Sequence, residues 1–261
     1  MVLRKKPTSF DARRLWRVAC LCIFGCTADA YAAHPLISED TGTQGAGRFE
    51  LELGNTWSRS GGDRAYEFGP QLSYGILPNL DGIVRPTLLV LRTSGEGSTA
   101  TTARGTGDSA VDVKWRFYEA QILSLATRAG VGAPTGAAAR GLGAGKASYH
   151  VLGVASVDAA PFALHGNLGY TRAGSDPLKR RDLYHVSTAA VMKIEGGWQL
   201  LLYDVAVDTN ADRSQSVPPS SVRLGAIYTL REGCDIDVGY QARLNHAAPA
   251  AAWLAGLTVR W

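Results

Sequence analysis

The feature that most restricts this chain is a period of two that recurs from residue 49 to the last residue. In Val111–Phe117 it is strict: Val111, Val113, Trp115 and Phe117 are apolar, and Asp112, Lys114 and Arg116 between them are charged. Such alternation places successive side chains on opposite faces of a β-strand. Phe49, Leu51 and Leu53 repeat it against Glu50 and Glu52, and Trp253, Ala255, Leu257, Val259 and Trp261 repeat it at the far end. Two environments can satisfy the pattern. In a soluble sandwich the apolar face meets a core and the charged face meets water. In a transmembrane barrel the apolar face meets lipid and the charges line a polar lumen.

The first residues favour the barrel. Arg4, Lys5, Lys6, Arg13, Arg14 and Arg17 precede a short apolar run, Val18–Cys26, and Ala30-Tyr31-Ala32 offers a small-x-small cleavage site. This pattern predicts a signal peptide over residues 1–32, with signal-peptidase cleavage preferred to lipoprotein processing at Cys26. Six of the 27 basic and two of the 23 acidic residues lie in that leader, so the remainder is neutral. A neutral exported chain gives no basic patch for nucleic acid. Three of the four cysteines leave with the leader; Cys234 alone carries neither a disulfide nor metal-ligand spacing. No metal or cofactor is expected. No apolar stretch approaches the ~20 residues of a membrane-spanning helix, so strands must do the crossing.

About twelve strands can be counted over residues 48–261. Short connections at 77–81, 119–121, 158–161, 195–197 and 231–235 alternate with polar stretches at 93–107, 136–147, 172–183 and 208–220. That sidedness predicts an all-β, transmembrane, antiparallel up-and-down barrel in the outer membrane of a Gram-negative cell, short turns periplasmic and long loops outside. Pro86 removes a ladder hydrogen bond and predicts an irregularity in its strand. Aromatic residues such as Trp57, Trp115, Tyr170, Tyr184, Trp198, Tyr228 and Tyr240 fall near strand ends, as interfacial girdles require.

Several segments, in order, resemble the bacterial outer-membrane family known as Putative MetA-pathway of phenol degradation. They are HPLISEDTGTQGAGRFELELG (34–54), YGILPNLD (74–81), GTGDSAVDVKWRF (105–117), GVGAPTG (130–136), GNLGY (166–170) and LGAIYTL with DIDVGYQ (224–241). The resemblance implies an outer-membrane channel or facilitator for small, hydrophobic or aromatic solutes. It also implies that the terminal strand, ending in Trp261, is read by the barrel-insertion machinery. The alternative is a closed structural or adhesion barrel whose long loops bind a partner.

The polar faces supply the candidate lumen residues: Glu50, Glu52, Asp112, Lys114, Arg116, His150, His165, Asn167, Arg223, Asp237, Gln241 and Arg243, with Glu67, Arg85, Arg128, His185 and Arg260 beside them. A charge on the lipid face costs roughly 2–4 kcal/mol near the midplane, so these point inward. Most are expected to pair across strands, with Lys114 the exception. Asp204 is expected to point inward as well, with Leu201, Tyr203 and Val205 facing lipid. Residues 33–47 are rich in turn chemistry and poor in apolar residues, and predict a periplasmic tail or a lumen plug carrying Asp40, Thr41 and Gln44. His150, His165 and His185 with Ser148 and Ser187 form a loose Ser/His group without a nucleophile motif, and no enzyme is expected.

Overall fold

The computed structural model describes residues 34–94 and 100–261; the expected signal peptide lies outside the described residues. Fourteen strand segments follow one another in a single antiparallel sheet: β1 (Phe49–Ser60), β2 (Asp63–Leu77), β3 (Leu80–Arg85), β4 (Leu88–Thr93), β5 (Thr101–Thr106), β6 (Ser109–Glu119), β7 (Leu123–Ala133), β8 (Ser148–Ala159), β9 (Phe162–Arg172), β10 (Asp182–Ile194), β11 (Trp198–Asp208), β12 (Ser220–Arg231), β13 (Cys234–Arg243) and β14 (Ala251–Arg260). Strand β1 pairs with both β2 and β14, which closes the sheet on itself.

The fourteen segments make twelve barrel strands, because two are broken in the middle. Strand β2 pairs with β3 over its lower half and with β4 over its upper half, and β6 and β5 stand beside them in the same way. The first break falls at Pro86, where the missing N–H ends one ladder and Leu88 begins the next. Residues 101–106, inside a stretch expected to be loop, form β5. Their threonines are polar but β-branched, and they pair with β4, Thr106 opposite Leu88 and Thr102 opposite Arg92.

The faces are inverted relative to a soluble protein. Val111, Val113, Trp115 and Phe117 are 47–54% exposed, whereas Asp112 and Lys114 are 2% and 4% exposed. Outward aromatics form two belts. Trp57, Tyr66, Tyr240 and Trp253 stand at the long-loop end, with Tyr149, Tyr170 and Tyr184 further round. Trp115, Phe117, Phe162, Trp198 and Tyr228 stand at the short-turn end, where Trp261 stacks on Phe49 at 5.6 Å.

One expected orientation is reversed. Leu201 is 2% exposed and points inward, packing with Ala163, Ala189, Val191 and Leu36. The cause is a bulge: Val191 pairs with Leu201 but Ala190 with Tyr203, so Leu202 is an extra residue. A bulge restarts the alternation, leaving Leu202 and Tyr203 outside and Asp204 fully buried inside.

Candidate functional site

The site is built from the stretch least like a strand. Residues 34–47 lie inside the barrel and pass round its inner wall. His34 meets β13 and Pro35 meets β12. Ile37 and Ser38 meet β11 and β10, Glu39 meets β9, and Thr41 meets β8 and β7. Gln44 reaches β3, and Gly47 reaches β2 just before β1 begins. Leu36 packs on the Ala163–Leu201 cluster and Pro35 is buried against the wall, but the rest of the segment has few apolar side chains and is fixed by hydrogen bonds.

Asp204 is the firmest of these anchors. It accepts from Ile37 N–H, from Ser38 N–H at 3.0 Å and from Ser38 Oγ at 2.7 Å. Asn167 holds the next residue from both sides: Glu39 N–H donates to its Oδ1 at 2.6 Å, and its Nδ2 donates to Glu39 O at 2.8 Å. Thr41 N–H donates to Ser156 Oγ at 3.2 Å, and Ser156 Oγ lies 2.9 Å from His165 Nδ1. Gln44 N–H donates to Asp81 at 3.1 Å, and its Nε2 donates to Glu50 at 2.8 Å. Such pairing satisfies backbone groups that the segment, being neither helix nor strand, cannot satisfy itself.

Charges converge on Glu39. Lys114 Nζ lies 2.7 Å from Glu39 Oε1 and 3.2 Å from Asp40 Oδ1. Arg128 Nη1 lies 2.7 Å from Glu39 Oε2, and its Nε donates to Asp112 at 2.8 Å. His150 Nε2 is 2.7 Å from the other Asp112 oxygen. Burial opposes the charge on Glu39, but Lys114 and Arg128 outweigh it and hold its carboxyl down at about 2. The expected exception therefore has partners after all. Lys114 is paired, through carboxylates of the N-terminal segment rather than of a neighbouring strand.

The wall is shaped for this segment by glycine. A Cβ on Gly239 or Gly225 would sit 2.8–2.9 Å from the Pro35 ring, and one on Gly54 or Gly256 would meet the His34 ring at 2.7–2.8 Å. A Cβ on Gly75 would overlap the Gly45 carbonyl.

The other candidates occupy three places. Glu50 pairs with Arg260 at 2.7 Å, and Asp237 lies 2.7 Å from His34 Nδ1. Arg223 donates to Gln241 at 2.8 Å and to Pro35 O at 2.9 Å. Glu52 accepts from Gln71 at 2.7 Å and from His34 N–H at 3.3 Å. Arg116 leaves this network for Glu119 at the short-turn end, at 3.3 Å, and Arg243 is exposed at the long-loop mouth. Among the residues that sequence reasoning overlooked, Glu39 adjoins Asp40 in a Ser-Glu-Asp triplet, and Asp81 was read only as a turn residue.

A cavity of about 330 Å³ remains beside the segment. It is lined by Leu36, Ile37 and Glu39 of the segment and by Glu52, Glu67, Gln71, Arg85, Arg128 and Arg223 of the wall. Of the Ser/His group, His185 takes a relay-like position, 2.7 Å from Asp208 and 3.0 Å from Ser187 Oγ. Ser187 is 3% exposed, however, and its Oγ faces Ser38 Oγ at 3.0 Å.

A closed twelve-strand barrel with an apolar exterior, two aromatic belts and a charged interior is an outer-membrane β-barrel. The solved structures agree on the fold. An outer-membrane channel from Pseudomonas putida F1 is similar over 85% of this chain and 98% of its own, with TM-score 0.67 and 13% identity. The KdgM porin is similar over 80% of this chain and 98% of its own, with TM-score 0.54 and 5% identity. The family model described as Putative MetA-pathway of phenol degradation matches residues 34–261, and the chain belongs to that family. A search of curated proteins gives no match. The protein resides in the outer membrane.

Proposed function

We propose that the protein is a channel for small solutes, narrowed by its own residues 34–44. The observation that carries this reading is the segment wound round the inner wall with a cavity of about 330 Å³ left beside it. A cavity of that size is at the small end of ligand sites. Its lining joins two apolar side chains, Leu36 and Ile37, to charges of both signs. This chemistry suits compact solutes with an apolar body and a polar group, the phenolic ones named in the family description among them. It suits unsubstituted hydrocarbons poorly, because no charged wall group would regain in the complex what it loses to water.

Catalysis is not part of this reading. The hydroxyl in the relay-like group, Ser187, is shut behind Ser38 and has no room for a substrate carbonyl. Proteoliposomes loaded with a small phenol and, separately, with a disaccharide provide the test. The reading requires efflux of the phenol faster than from protein-free liposomes, with the disaccharide retained. Phenol efflux no faster than from protein-free liposomes would support the closed barrel instead.

A further inference from the structure

The outer wall carries a second feature, unconnected with the lumen. Arg59 on β1 lies directly opposite Arg64 on β2, and Arg64 lies directly opposite Arg92 on β4. Directly paired residues share a face, and Trp57, Tyr66 and Val90, two positions further down the same strands, show that it is the lipid-facing side. The row is therefore three guanidiniums on adjacent strands, spaced by roughly 5 Å.

Like charges placed directly opposite one another across a ladder are destabilising. Nothing in the row offsets them: its next members on either side are Ala251 and Thr102. Among the described residues none of the three arginines forms an ion pair. Arg172 provides the contrast. It stands at the same height beyond the belt tyrosine Tyr170, and there the chain supplies its own counter-charge in Asp182.

Height determines what could neutralise the row. It lies at the long-loop end, about 7 Å along the strand beyond the Trp57–Tyr66–Trp253 belt, and hence just outside the hydrocarbon of the outer leaflet. The three arginines at one end and those aromatics with Val90 at the other line a single cleft of about 670 Å³ on the same face. Anionic headgroup above and acyl chain below is the chemistry of a phosphorylated lipid. Arginine is suited to it because its planar fork binds phosphate bidentately.

We propose that Arg59, Arg64 and Arg92 bind the phosphorylated headgroup of an outer-leaflet glycolipid, lipid A, with an acyl chain in the cleft beneath. The full exported chain, purified in detergent, is titrated with Kdo2–lipid A and followed by native mass spectrometry. We expect one retained lipid for the wild type and at least tenfold weaker retention for R59Q/R64Q/R92Q. R64Q alone should lose several-fold, whereas R172Q should match the wild type. Heat-modifiable migration on a gel identifies variants that keep the barrel. Lipid A stripped of its phosphates should bind the wild type no better than the triple variant. Retention by the folded triple variant within twofold of wild type would overturn the proposal, as would equal binding of dephosphorylated lipid A. Displacement of the lipid by millimolar inorganic phosphate would overturn it too, since it would mark a simple anion site.

Discussion

Replacing Asp204 with alanine isolates the strongest anchor of the N-terminal segment. Its carboxylate accepts three hydrogen bonds from two consecutive residues, Ile37 and Ser38, and is itself fully buried. A hydrogen bond to a charged acceptor contributes about 1.5–3 kcal/mol. The three are not additive, because they hold one short stretch of backbone, so the docked state should lose about 3 kcal/mol in all. At 1.4 kcal/mol per tenfold, the ratio of docked to released segment falls by roughly 100-fold. Arg223 stands opposite Asp204 on β12 and keeps its bond to Gln241 on β13, so the wall should stay intact. Planar-bilayer recordings should show longer or more frequent high-conductance openings for Asp204→Ala. Hydrogen exchange at residues 37–41 should rise in parallel. If both measurements match the wild type while the barrel remains heat-modifiable, Asp204 does not hold the segment and the reasoning is wrong.

Three further outcomes follow from the same geometry. Gly239→Val places a branched side chain where Pro35 lies, an overpacking of about 1–3 kcal/mol, and should raise conductance without loss of the folded band on a gel. Glu39 is held ionised down to about 2, so the stability its ion pairs lend the docked segment is full above the ordinary carboxylate value of about 4.5 and is lost as pH falls from there through about 2. Conductance that rises over that window in the wild type, but not in Glu39→Gln, would agree with this. Val113→Arg, on the lipid face of β6, should destabilise the barrel by roughly 2–4 kcal/mol in urea unfolding in bilayers; a change below 1 kcal/mol would mean that this face does not lie near the midplane.

The sequence and the structure agree most closely where a residue's role depends on strand period alone. The lipid face of β6 and the break at Pro86 were both legible, because alternation and a missing N–H act locally. Leu201 was not: a bulge at Leu202 restarts the period, and nothing in WQLLLYDV distinguishes an inserted leucine from a paired one. The strand β5 was hidden because polar threonines and glycines read as loop until β4 is there to pair with them. The candidate site was legible in its wall and illegible in its pairing. Asp112, Lys114 and Asn167 stand out as polar positions on a strand. Asp112 finds its partners within the wall, in Arg128 and His150, but those of Lys114 and Asn167 come from residues 39–40, which have no period to fix a register. The glycines show the same division. Gly75, Gly225 and Gly239 occupy motifs that look like mere composition, and only the docked segment shows that each leaves space for Gly45 or Pro35.

The narrowing of the barrel by residues 34–44 can be measured by deleting them while keeping residues 1–33 and β1, then recording single-channel conductance in planar bilayers. We expect a small conductance for the undeleted protein and one several-fold larger for the deletion. Equal conductances from two properly folded barrels would contradict it.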